Sequence, residues 1–279
     1  MRKQSSTERG RVWGTAAVTA LATLTLLPLL ASPAPAASSV GHKPTIVVQH
    51  GAWADASSWR GVIERLQDRG FTVLAPPNPL RGGLLDSASL ASYLNTVPGP
   101  IVLVGHSYGG FVITNAARGN PNVKALVYLD AFIPDTGETL LQRTTGSCLG
   151  GDPRKRFQAV PSPGGIDLFI KNLADPPYPG LTECFANGLT PAQAALVGAV
   201  QRPLAATALV EPSGPPAWKR IPAWAMVGLD DRVITPAEQE FMAKRAGAHI
   251  VTVNAGHLAL ISRADVATDL IMSAVHATS

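Results

Sequence analysis

The amino-acid sequence predicts an α/β fold, a mainly parallel, doubly wound sheet with an inserted cap. Three observations carry the prediction. Short apolar runs rich in β-branched residues alternate with segments of helical spacing, the pattern of βαβ crossovers. One junction, residues 101–110, joins a strand-like run to Gly-x-Ser-x-Gly and then to a helix-compatible stretch. Between about Pro134 and Pro222 the alternation stops, and prolines and glycines crowd a segment of poor periodicity. That segment still carries Phe157, Leu168, Phe169, Ile170, Tyr178, Leu181 and Phe185. Apolar side chains of that size need burial, so a cap over about 135–221 is expected rather than a disordered loop. Its expected place is the carboxyl edge of the sheet, where open α/β sheets bind ligands.

The chain opens on a leader pattern. Arg2, Lys3, Arg9 and Arg11 form a basic start, and residues 16–30 are apolar apart from a few small polar side chains and Pro28. Ala34-Pro35-Ala36 then supplies small residues for cleavage. The apolar stretch is short for a membrane span, and no twin-arginine pair precedes it. The expectation is a secretory signal peptide over residues 1–36, export by the general route, and no stable membrane span after cleavage. Removing it takes away those four bases and Glu8, so the formal charge falls from +4 to about +1. That balance gives no support to a nucleic-acid-binding surface, and no arginine-rich patch or nucleic-acid motif is visible. Residues 37–279 suit one sizeable domain with a real core.

Residues 45–50 read as a short buried strand, followed by a loop of small residues. Residues 59–69 have helical spacing, with Val62, Ile63 and Leu66 apolar against Arg60, Glu64, Arg65 and Asp68. Gly70 ends that helix and 71–75 supply a second strand. Pro76-Pro77-Asn78-Pro79 is a loop, 86–97 a helix, and Pro98-Gly99-Pro100 leads into the strand before the serine motif. A helix over 111–118 and strands over 123–129, 223–227 and 249–253 complete the pattern. Cys148 and Cys184 both fall in the irregular middle. In an exported chain a disulfide between them is expected, with two separate buried thiols as the alternative.

Ser107 sits at the apex of Gly105-His106-Ser107-Tyr108-Gly109, where side chains at either glycine would crowd the turn. The helix that follows aims its first N–H groups and positive dipole end back at the serine. A serine hydroxyl is a weak nucleophile at neutral pH, so it needs a base, and the base needs an orienting acid. Of six histidines, His257 follows a strand in the turn Asn254-Ala255-Gly256, a position from which an imidazole reaches over the serine. His106, beside the serine, is expected to point away from it. The acid should lie between serine and histidine in the chain. Asp231 is favoured on the spacing Gly228-Leu229-Asp230-Asp231, with neighbouring Asp230 and strand-end Asp130 as alternatives. The growing oxyanion needs two backbone donors. Tyr108 N–H is one, and Ala52 N–H in His50-Gly51-Ala52-Trp53 is the choice for the other, ahead of Trp53 N–H. His50 is expected to fix that loop by hydrogen bonds, and Trp53 is a candidate pocket residue; Trp59 fits a pocket or the core equally.

With these residues assembled, the chain resembles the α/β-hydrolase superfamily, and within it the methylesterase and hydroxynitrile lyase group with its bacterial esterase-like relatives. The segments that carry the likeness are His50-Gly51-Ala52-Trp53 with Ser58-Trp59, Val104 through Gly110, and Ala131-Phe132-Ile133-Pro134-Asp135. Gly228-Leu229-Asp230-Asp231 and Gly256-His257 complete them. The resemblance spans about residues 44–275 and implies a Ser107–His257–Asp231 triad with Ala52 and Tyr108 as oxyanion donors. Lyases of that group carry threonine where this chain has Gly51, and lysine where it has Leu258. An apolar leucine cannot stabilise departing cyanide, so the resemblance implies an esterase acting on a small-molecule carboxylic ester. It implies no cofactor, and no metal-ligand spacing is visible. A cofactor-free perhydrolase or haloperoxidase would use the same triad. Epoxide hydrolase and dehalogenase chemistry wants an aspartate nucleophile, and a non-catalytic binding protein would have lost a triad member.

Overall fold

A computed structural model describes residues 43–171 and 180–278. The expected leader and Tyr178 lie outside the described residues. In chain order the elements begin β1 (Thr45–Gln49), α1 (Arg60–Asp68), β2 (Val73–Leu74), α2 (Gly83–Leu94), β3 (Ile101–His106), α3 (Tyr108–Ala116) and β4 (Val123–Leu129). The inserted region holds α4 (Pro153–Arg156), β5 (Phe157–Ser162), β6 (Gly165–Ile170), α5 (Pro191–Ala199) and β7 (Leu204–Ala205). The chain then returns through β8 (Ala223–Gly228), α6 (Pro236–Arg245), β9 (His249–Val253), α7 (Ala259–Ser262) and α8 (Ala264–Thr278).

Strands β2-β1-β3-β4-β8-β9 form one sheet, and every neighbouring pair in it is parallel. The central strand β3 is buried at every position and β8 likewise. That is why both read as continuous apolar runs: helices cover the two faces of a parallel sheet, leaving no solvated face to alternate with. Helix α3 packs on β3, and α8 on β4 and β8. Helices α6 and α8 add to the elements read from the sequence.

Register fixes where the loops converge. His106 pairs with Leu129, Leu129 with Met226, and Gly228 with Val253. The carboxyl ends of β3, β4, β8 and β9 therefore stand side by side, and Ser107, Asp130, Asp231 and His257 all follow at that one edge.

The insertion is more regular than its composition predicts. Strands β5, β6 and β7 make an antiparallel sheet of their own, with β5 and β6 joined through Pro163-Gly164. Cys148 and Cys184 are bridged, with Cα atoms 5.8 Å apart, so the disulfide expectation holds over the two-thiol alternative. Among the described residues, no helix is long and apolar enough to cross a membrane.

Candidate active site

Ser107 occupies the turn between β3 and α3 with φ 53° and ψ −123°, a region non-glycine residues rarely adopt. Packing holds it there. A Cβ on Gly105 would lie 2.7 Å from Gly109 O, and one on Gly109 would run into Gln49 O, so the turn closes only with glycine at both places. The helix starts at Tyr108, directly after the serine and earlier than its apolar spacing predicts. As the first residue of α3, Tyr108 has an N–H with no acceptor inside the helix.

His257 Nε2 lies 2.9 Å from Ser107 Oγ, and its Nδ1 lies 2.8 Å from Asp231 Oδ2. With Nδ1–H donating to the carboxylate, Nε2 is left as an acceptor for the serine proton. All three side chains are buried. Asp231 is saturated: Oδ1 accepts from Val233 N–H (2.7 Å) and Ile234 N–H (3.0 Å), while Oδ2 also accepts from Gln239 Nε2 (2.7 Å). Gln239 reaches it from α6 and also donates to Ile234 O (2.8 Å), an arrangement no sequence spacing announces.

The alternative acids stand elsewhere. Asp230 is exposed. Asp130 is fully buried, but its Oδ1 accepts from Gly228 N–H (2.9 Å) and it makes no hydrogen bond to the imidazole. Burial first, and then the nearby Asp231 charge, hold its carboxyl well above the usual range.

Two other histidines, His106 and His50, serve as struts. His106 Nε2–H donates to His257 O (2.8 Å), so its ring lies beside the His257 ring, 4.9 Å between centroids, and away from the serine hydroxyl. Burial, helped by His257, depresses its pKa well below that of a free histidine. His50 Nδ1–H donates to Gly51 O (2.9 Å) while Nε2 accepts from Asn78 N–H (2.9 Å), so one neutral tautomer satisfies both. Burial is the main cause lowering its pKa to about 4.

Ala52, Trp53, Ser107 and Tyr108 line one cavity. Trp53 stacks on Phe157 of β5 (5.4 Å) and donates its indole N–H to Leu168 O (2.8 Å) in β6, which docks the insertion onto the loop after β1. Phe185, next to bridged Cys184, meets both Trp53 (5.9 Å) and the His257 ring (5.4 Å). Trp59 belongs to the core and does not line the cavity. The Tyr108 hydroxyl donates to Asp86 Oδ2 (2.6 Å) from beneath the turn. Burial raises the Asp86 pKa, and burial followed by the Asp86 charge raises that of Tyr108. Neither Asp86 nor Asn78 stands out in the sequence, since each works through fold contacts rather than a motif.

Residues 46–269 match the alpha/beta hydrolase family. The chain is 36% identical over 108 residues to a carbendazim hydrolyzing esterase of Nocardioides sp., an alignment that takes in 34% of this chain and 45% of that protein. It thus spans under half the length of that relative. The alpha/beta hydrolase nvfD of Aspergillus novofumigatus is 25% identical over 253 residues, 83% of this chain and 96% of that one. Among solved structures, a pyrethroid hydrolase from Sphingobium faniae superposes with a TM-score of 0.65 at 22% identity, over 84% of this chain and 98% of that one.

Proposed function

This chain belongs to the alpha/beta hydrolase family, and from that premise we propose that it is a serine esterase that cleaves carboxylic esters through an acyl-enzyme on Ser107. One observation carries the reading: the unbroken relay from Ser107 Oγ through His257 to Asp231, at 2.9 and 2.8 Å. In this mechanism Ser107 Oγ attacks the ester carbonyl as His257 Nε2 takes its proton. Charge on the carbonyl oxygen is met by the N–H groups of Ala52 and Tyr108. The tetrahedral species collapses, the C–O bond breaks, and His257 returns the proton to the departing alcohol. Water, deprotonated by the same imidazole, then attacks the acyl carbon and frees Ser107 and the acid.

The names of the carbendazim hydrolyzing esterase and the pyrethroid hydrolase support a hydrolytic reading. Cyanohydrin cleavage gains nothing here, because buried Leu258 stands where the resembled lyases carry lysine. Export fits the bridged Cys148–Cys184 pair, since disulfides persist in oxidising compartments. Terminal sequencing of the protein recovered outside the cell should begin near residue 37.

The deciding experiment is Ser107→Ala against a small p-nitrophenyl ester, with fluorophosphonate labelling beside it. Turnover and labelling should both vanish while the circular dichroism spectrum stays unchanged. Turnover at the wild-type rate in that variant refutes the assignment.

A further inference from the structure

We propose that the ester taken by this site is uncharged and carries a bulky hydrocarbon or aryl arm, held beside Ser107 without a hydrogen bond along its length. The proposal rests on the esterase reading above and names its substrate class. The cavity that Ser107 opens into has a volume of about 400 Å³, within the range of pockets that hold drug-sized molecules and far beyond the need of an acetyl group. Its wall is apolar, with Phe132, Leu140, Leu149, Phe157, Leu204 and Leu209 contributing. Among the described residues that line it, none is ionisable except Tyr108.

More telling is what the polar side chains of the wall are doing. The Trp53 indole N–H is spent on Leu168 O (2.8 Å) and the Tyr108 hydroxyl on Asp86 (2.6 Å). Thr144 Oγ1 donates to Leu141 O (2.8 Å), and Ser147 Oγ accepts from Leu149 N–H (3.1 Å). Apart from Ser107, each polar side chain of the described wall makes a hydrogen bond to the protein itself, and of these only Ser147 does so purely as an acceptor. Of the cations directly beside wall residues in sequence, Arg143 lies against Glu138 (3.9 Å) and Glu238 (3.6 Å) and Arg154 against Asp152 (3.0 Å), while Arg156 donates to Gly150 O (3.4 Å) and Arg232 to Glu183 O (3.0 Å). A carboxylate on the substrate arm would lose its hydration and meet no charged side chain in the described wall. Leu141 and Val210, each well over half exposed, line the cavity as well and form its mouth, so a longer arm continues over an apolar threshold.

The test uses two ester series on the mature enzyme. One varies the acyl arm from acetyl to octanoyl on p-nitrophenol. The other varies the alcohol arm from methyl to octyl on acetate, followed by titration of released acid. In at least one series kcat/KM should climb about fourfold per methylene until the cavity fills. A terminal hydroxyl on the best arm should cost roughly 10- to 100-fold, and a terminal carboxylate more than about 100-fold. Ala206→Phe, which fills part of the cavity, should shift the optimum to shorter arms while Ser107 still reacts with a fluorophosphonate. Labelled Ser107 with both series flat, with carboxylate-ended arms preferred, or with an optimum unmoved in the Ala206 variant, overturns this inference and leaves the esterase reading standing. No labelling and no ester turned over removes the esterase reading, and this inference with it.

Discussion

The substitution Gly51→Ala puts the arrangement of the two loops under the most direct strain. A Cβ at residue 51 would lie 2.8 Å from Ser107 Cβ, 3.0 Å from His106 O and 3.1 Å from His106 Nδ1. Carbon atoms in ordinary contact sit about 3.5–4.0 Å apart, so the first distance is short by about 0.7 Å. None of the three obstacles can swing aside. The Ser107 Cβ is fixed by the strained turn, His106 O is backbone, and the His106 ring is tied to His257 O. The loop after β1 and the serine turn must therefore separate, which displaces Ser107 from the Ala52 N–H and from His257 together. Overpacking of this kind costs about 1–3 kcal/mol, which for a domain of this size lowers Tm by roughly 3–10 °C. Misplacing reacting groups by 1 Å can cost about 100-fold in rate, so kcat should fall by roughly 10- to 100-fold. Steady-state kinetics on p-nitrophenyl acetate and a thermal melt read both. Gly164→Ala is the control: nothing lies within 4 Å of its Cβ, and neither kcat nor Tm should move. A Gly51→Ala enzyme with wild-type kcat and Tm would show that the loops do not meet as described.

Two further variants probe the struts behind the site. Gln239→Met removes the donor to Asp231 Oδ2 without touching the cavity wall, so kcat should drop by about 3- to 10-fold with KM nearly unchanged; a rise in KM at constant kcat would contradict a positioning action on the acid. His50 is held neutral in the fold, with its pKa lowered to about 4 from 6.5, so the unfolded chain binds the extra proton first. Its contribution is complete above pH 6.5 and is lost as pH falls toward 4, by up to about 3 kcal/mol. Urea midpoints for wild type and His50→Gln, compared at pH 7.5 and 4.5, should show a steeper acid loss in the wild type; parallel losses would refute the linkage.

The strands at the centre of the sheet were legible because burial on both faces leaves a one-letter signature. Residues 123–129, buried at every position but Lys124, are a strand at the bounds their apolar run marks. Edges and caps were harder to read. The run 71–75 narrows to Val73–Leu74, one of the two edge strands of the sheet. Helix α2 begins at Gly83, ahead of the expected 86, because its cap Gly82 has φ 148° and no side chain to announce a start; Asp86 sits inside the first turn. Pro161 disguises β5, yet β5 lies at the edge of its small sheet, where a missing N–H is tolerated. At the site, motif residues could be read because chemistry restricts them to a few types. Gln239, Asn78 and Asp86 could not, since each is defined by the partner that the fold brings within reach.

Most departures from local backbone preference fall at the candidate site. Among the described residues, four non-glycine residues have positive φ: Trp53, Leu80, Ser107 and Asp130. Three of these follow β1, β3 and β4 at the carboxyl edge of the sheet. Each is held by contacts from another element: Trp53 by Leu168 O in the insertion, Ser107 N–H by Leu129 O across the strand pair, and Asp130 by Gly228 N–H of β8. Such conformations cost of order 1–3 kcal/mol each and persist only when their surroundings over-determine them. The strain at Ser107 is thus carried by the register of the neighbouring strands, and that at Trp53 by the insertion. It follows that loosening β6 in the insertion should be felt at the loop that bears Ala52, although no residue of β6 lines the cavity. The insertion therefore shapes the cavity wall and also holds one side of the candidate oxyanion site in place.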